Sequence, residues 1–285
     1  MPEVTWPTPQ IVILLVLAAL LYTHILASLV GDWATDPNYS HGFIVLPCCA
    51  WIVWRERKRI AAQVLKPSWM GLAIIVGALA MLVLGVLGAE LFLSRTSFIV
   101  LLAGLIVQFR GWRFFRAVLL PWAILFLAVP LPAIIFNQVA LPLQFEASRL
   151  ASGMLALLGV PVLRQGNVIV LPSLTLDVVE ACSGLRSLVS LITLAVLYGY
   201  FFERRNSIRT LLVLAAVPIA VLANGVRIMG TGLLGQYWSP EKAEGFFHTF
   251  TGVLIFFVSV ALLVGFHAFL SWISNRWFSR RQQCA

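Results

Sequence analysis

The sequence predicts an all-α polytopic membrane protein of about eight transmembrane helices, with a small extracytoplasmic insertion before the sixth. Three observations predict it. Of the 285 residues, 61% are hydrophobic and only 11% charged, where soluble domains run nearer half apolar and a quarter charged; mean hydropathy is +0.96. The apolar residues collect in runs close to the ~20 residues that a helix needs to cross a bilayer core. The basic residues fall in short loops between those runs. In a soluble chain the net charge of +9 would point to nucleic acid. Placed in such loops it is topology information, and no nucleic-acid partner is expected.

Eight stretches fit a span, some loosely: 11–30, 42–54, 70–89, 91–109, 117–136, 184–202, 210–231 and 249–273. No Lys or Arg precedes the first, which is also too long for a signal-peptide core, so it reads as a span. Arg55, Arg57, Lys58, Arg59 and Lys66 follow the second span, and Arg110, Arg113 and Arg116 the fourth. Arg204, Arg205 and Arg209 follow the sixth, and Arg276, Arg280 and Arg281 the eighth. Together these are 14 of the 20 basic residues, all in alternate connections. The positive-inside rule then puts both termini in the cytoplasm. A single membrane domain over 1–285 is expected, with an outer insertion at about 137–182 and a cytoplasmic tail at 274–285.

Within the insertion, Phe145, Leu150, Met154 and Leu157 stand against Glu146, Arg149 and Ser152, which suits an amphipathic interfacial helix over 143–158. Two β-rich runs follow, Asn167 to Leu171 and Leu174 to Val179. Gln165-Gly166-Asn167 makes a turn ahead of them and Pro172-Ser173 lies between, which predicts a small hairpin. Trp33, Trp51, Trp54, Trp69, Trp112, Trp238, Trp272 and Trp277 fall mostly near span ends, as an aromatic belt would. No internal repeat, phosphate-binding glycine loop or metal-ligand cluster is visible, so neither cofactor nor metal is expected.

The chemistry concentrates at Glu180-Ala-Cys-Ser-Gly-Leu-Arg186. Cys48 and Cys49 are adjacent within span two and Cys284 is in the tail, which leaves Cys182 the one thiol on the outer side, a compartment that favours disulfides. A small buried hydrophobe is the ordinary alternative for such a cysteine. Ser183 is placed to cap the following helix, putting the thiol at the positive end of its dipole, where thiolate is favoured. Glu180 and Asp177 oppose that, so a cation is expected close by. Arg227, in the outer part of span seven, supplies one. A guanidinium there either faces a partner or wet cavity, or snorkels to the headgroups. Asn224 shares its helix face, three residues away. His248 opens span eight on the outer side and can exchange a proton with a thiol. His41, in Tyr39-Ser-His-Gly42, is an outer histidine too, and spacing alone does not choose between them. A nucleophile, a base and a fixed cation suffice for acyl transfer through a thioester; the arginine keeps its proton and can stabilise an oxyanion.

From Tyr39-Ser-His-Gly42 to the last span the chain resembles the exosortase/archaeosortase family, most specifically at Glu180-Ala-Cys-Ser-Gly-Leu-Arg186, at Asn224-Gly-Val-Arg227 and at the histidine opening the last span. The resemblance implies a catalytic set of Cys182, Arg227 and His248, and it decides for His248 over His41. The third position is an arginine in archaeal relatives, so the resemblance leaves the proton-transfer role open between His248 and Arg227. Asn224, Glu180, Ser183, Arg186, His41 and Tyr39 are the further candidates for substrate binding. The resemblance also implies a bacterial inner-membrane peptidase acting outside the cytoplasm. Its expected partners are secreted proteins with a C-terminal sorting signal (a Pro-Glu-Pro-like motif, an apolar helix and a basic tail), the lipid bilayer and an unidentified acceptor nucleophile. Two readings compete: a transporter with Arg227 and Glu90 lining a path, and a non-catalytic subunit of polysaccharide export or assembly.

Overall fold

The computed structural model describes residues 9–178, 184–238 and 246–283, and the side chains of these other than residues 10, 11, 15, 246–250, 275 and 277–283. The chain divides into two compact units, residues 1–133 and 134–285. Six described helices are long and apolar enough to cross a membrane, and a broken pair, Trp112–Ala128 with Ala133–Leu157, counts as a seventh if taken as one span. A shorter apolar helix, Gly42–Arg55, completes the set, so seven of the eight expected stretches fall on one helix each and the eighth, 117–136, on the broken pair.

The first unit runs α1 (Pro9–Thr35), α2 (Gly42–Arg55), the one-turn α3 (Arg57–Ala61), α4 (Met70–Leu87), α5 (Leu91–Arg110) and α6 (Trp112–Ile124). Glycines let α4 and α5 approach to backbone distance: Gly71 rests on the Gln108 backbone and Gly85 on Ser94, leaving no room for a Cβ. Glu90 turns the chain between them and caps α5, its Oε1 accepting from the Phe92 N–H at 3.0 Å. Several polar side chains inside the unit pair with one another. Arg95, with a side chain 2% exposed, meets Asp32 at 2.7 Å and donates to Ser28 Oγ at 3.0 Å; Tyr22 and Ser97 bond at 2.9 Å.

The expected helix over 117–136 is not continuous. After α6 comes a 3-10 turn, Leu125–Ala128, and α7 starts only at Ala133. Pro130 and Pro132 cause the break, since a proline removes a backbone donor and pushes the residue before it out of the helical region. The freed carbonyls are taken by side chains. Trp33 Nε1 donates to Ala128 O at 2.8 Å, and His41 Nε2 to Leu127 O at 2.9 Å. Trp33, 4% exposed, is therefore a buried hydrogen-bond donor and not part of an aromatic belt, whereas Trp51, Trp54, Trp69, Trp238 and Trp272 are exposed as a belt requires.

The second unit runs α7 (Ala133–Leu157), three short strands, α8 (Leu185–Phe202), α9 (Asn206–Tyr237) and α10 (Phe246–Gln283). The expected amphipathic stretch is the later part of α7. Buried Phe136, Ala140, Gln144, Ala147, Ser148, Ala151 and Leu155 give the whole helix one core-facing stripe at helical spacing. The expected hairpin is present and gains a strand: β1 (Leu163–Gln165), β2 (Val168–Val170) and β3 (Thr175–Asp177) form an antiparallel meander in that order. β1 escaped the sequence reading because Leu163-Arg164-Gln165 is fully exposed and shows no alternation. Gly166, at φ +65°, makes the two-residue turn between β1 and β2, and Ser148 Oγ donates to its carbonyl at 2.9 Å, tying the sheet to α7.

α8, α9 and α10 share a core of Leu188, Leu191, Leu212, Ala216, Ala220 and Leu263. At the end with the basic loop, His267 of α10 donates through Nε2 to Glu203 at 3.2 Å, and its Nδ1 lies 2.9 Å from the Tyr198 hydroxyl. Burial would raise the Glu203 carboxyl. The Arg205 N–H, His267, the Arg204 N–H and the Arg205 charge outweigh it and hold the pKa below the usual glutamate value. A depressed carboxylate stabilises the fold above its unfolded pKa, and that contribution is lost as pH falls through the folded value. Glu203→Gln is expected to cost about 1.5–3 kcal/mol at neutral pH, the usual range for hydrogen bonds to a charged group. Thermal denaturation in detergent should show the deficit closing under acid conditions; a deficit constant with pH would refute the assignment.

Candidate active site

α9 is the spine of the site. Its buried positions run Leu212, Ala216, Ala220, Asn224, Ile228 and Gly232, one per turn, and Arg227 lies beside this stripe between Asn224 and Ile228. Asn224 is 3% exposed, and Arg227 is half-buried.

Cys182, with Glu180 and Ser183, lies outside the described residues. The chain on either side of 179–183 is described, and both ends rest on α9. Before it, Val178 is 1% exposed and joins the cluster that contains Ile228; its N–H donates to Asn167 O at 3.1 Å. After it, Gly184 sits against Asn224, so closely that a Cβ would fall 2.7 Å from Asn224 Cγ. Gly184 also takes φ +78°, which L side chains avoid. The α8 N-cap position belongs to Gly184, with no side-chain cap bond. The helix thus starts one residue later than expected, with the left-handed glycine at the N-cap position; the capping role expected of Ser183 falls on a residue outside the described ones. Cys182 is two positions before Gly184, a reach of at most about 7 Å.

α10 approaches the same turn of α9. Arg227 Nη1 lies 3.8 Å from the Cβ position of Gly252. His248 is on helical backbone one turn ahead of Gly252, so the two share a helix face. Arg186 is exposed in the first turn of α8. His41 and half-buried Tyr39 belong to the first unit, just before α2, and the His41 ring is committed to the Leu127 carbonyl. Glu90, capping α5, also belongs to the first unit.

The turn of α9 carrying Asn224, Arg227 and Ile228 thus meets the chain entering and leaving the cysteine segment, and the helix that bears His248. A family model described as transmembrane exosortase matches residues 33–265. The chain belongs to the transmembrane exosortase family. No curated protein and no solved structure matches it. The matched region takes in every site residue named from the sequence, and with the apolar helices it makes this exosortase an integral membrane protein. Sequence reasoning missed two of the contacts made around this turn of α9. Gly184 and Gly252 were legible only as flexible or small residues. Gly232, by contrast, reads from the sequence as room for a neighbour to come close, and it accepts Leu155, Leu171 and Leu176 at 3.3 Å from its Cβ position. Among the described residues no group of three His, Cys, Asp or Glu side chains comes together as a metal site.

Proposed function

We propose that the chain is a membrane cysteine peptidase and transpeptidase that removes the C-terminal sorting signal of secreted proteins. The observation that supports it most is the packing of Gly184 on Asn224, which brings the chain two residues from Cys182 to the α9 turn that carries Arg227. In this reading the Cys182 thiolate adds to the scissile carbonyl, and the oxyanion is held by the Arg227 guanidinium. The C–N bond breaks as the departing nitrogen takes a proton from His248, leaving an acyl-thioester on sulfur. An amine, other acceptor or water then attacks the thioester, its proton passes to His248, and the C–S bond breaks to free the thiolate.

The topology suits such a substrate. With both termini in the cytoplasm of a bacterial inner membrane, the segment before α8 and the start of α10 face outward. A tail made of an apolar helix and basic end would stop in the bilayer with its charge inside, holding a Pro-Glu-Pro-like motif at the outer surface. Co-expression with a secreted protein bearing such a tail, followed by mass analysis of the product, tests this reading. A new C-terminus just upstream of the apolar helix is expected. An intact tail, or one removed equally well without the chain, would sink it.

A further inference from the structure

β3 (Thr175–Asp177) has β2 on one side and no strand on the other among the described residues. Its register shows which backbone groups that open edge presents. Leu171 N–H donates to Leu174 O at 2.9 Å and Val178 N–H to Asn167 O at 3.1 Å, and Ile169 pairs with Leu176 between them. Hydrogen-bonded and non-bonded pairs alternate along an antiparallel ladder. Leu174, Leu176 and Val178 therefore turn their backbone groups to β2, and Thr175 and Asp177 turn theirs outward. Both are exposed, while Leu176 between them is half-buried against Gly232 of α9.

Within its own residues β3 carries few of the usual devices that protect an edge. β3 has no proline, lysine or bulge, and the Asp177 carboxylate is taken across the sheet by Asn167 Nδ2 at 3.0 Å. It is also held rigidly. Ser173, in the turn before it, donates from Oγ to Gln236 Oε1 at 2.6 Å and from its N–H at 3.2 Å, and Leu174 presses on Gly235, 2.7 Å from the Cβ position. Most tellingly, β3 leads straight into the cysteine segment. Cys182 is five positions after Asp177, a reach of at most about 17 Å.

We infer that the outer edge of β3 is the docking strand for the substrate: an extended segment of the polypeptide next to the scissile bond pairs with Thr175 and Asp177 by β-strand addition. The inference rests on the proposed peptidase reading. Main-chain bonding of this kind needs an N–H at every second substrate residue only, those facing the edge. Residues between them face away, so N-substituted residues, proline included, are accepted there and rejected at their neighbours. The open edge of β1 has no such relation to the nucleophile, since β1 leads back to α7.

The test is a binding measurement on the full-length Cys182→Ala protein in nanodiscs, which cannot turn the ligand over. Fluorescent peptides covering the segment ahead of the apolar tail helix are N-methylated one backbone position at a time. Strand addition is expected to weaken affinity about three- to tenfold per lost hydrogen bond, at alternate positions, with the positions between them unaffected. Thr175→Pro, which removes one outward N–H at the first residue of an edge strand where proline is tolerated, should weaken the unmodified peptide by a similar factor. If that variant fails to fold, the peptide series stands by itself. No binding, or sensitivity without a two-residue period, overturns the inference. So does a dimer lost in Thr175→Pro with peptide affinity unchanged, which would assign the edge to a second copy of the chain. Cleavage of the same peptides by the unmodified protein is scored separately, so a failure of the peptidase reading is told apart from a failure of the docking strand.

Discussion

Cys182→Ser, co-expressed with a tail-bearing secreted protein, is expected to leave the tail uncleaved, with a rate loss on the order of 10⁴-fold or more, as when the nucleophile of a catalytic set is removed. The substitution changes one atom and little volume, so the fold should be retained. What it removes is the thiolate. A cysteine thiol ionises within reach of neutral pH, further helped by a helix N-terminus and a cation. A serine hydroxyl ionises many units higher and needs a strong base in contact. The protein should reach the membrane at parent levels and melt at the parent temperature. A transporter or an assembly subunit would have no use for the sulfur, so processing at the parental rate in Cys182→Ser would remove the peptidase reading outright.

Gly184→Ala is expected to lower activity by about 10²-fold, the usual scale for displacing a catalytic group by an ångström, and to lower stability at the same time. Two costs add. Gly184 is at φ +78°, where an L-residue costs about 1–2 kcal/mol. The new methyl would also lie 2.7 Å from Cγ, 2.8 Å from Nδ2 and 2.9 Å from Cβ of Asn224. Asn224 is 3% exposed on the core face of α9 and has little room to retreat, so the start of α8 must move off α9. That shift acts on the chain two residues from Cys182. Combining Gly184→Ala with Asn224→Gly removes the clash and leaves the dihedral strain, so thermal stability should recover in part. If Gly184→Ala alone matches the parent in melting temperature and in processing, α8 does not start against α9 as described.

The eight apolar stretches were legible because bilayer thickness sets a length that composition alone can reveal. The break between α6 and α7 was written in Pro130 and Pro132, but the apolar run through them masked it. Trp33 shows the opposite limit. Its place near a span end suits a belt tryptophan, and only the packing of the end of α1 against Ala128 shows that its indole bonds a carbonyl freed by the break. The β2–β3 hairpin followed from alternation and turn residues. β1 did not, because its pairing to β2 depends on a neighbouring strand and not on any pattern of its own.

By itself the sequence determined that this is a membrane-spanning helical protein, which residues are candidates for chemistry and which family it resembles. Those properties follow from composition, from run length and from short motifs, all of them local. Only the tertiary structure decided that the chain on both sides of the cysteine segment rests on one turn of α9, and that Gly252 brings the last helix to Arg227. Such contacts join residues far apart in the chain, and at Gly184 the contact exists only because a glycine leaves the space. A missing side chain shows its purpose only once the neighbour that fills its place is known.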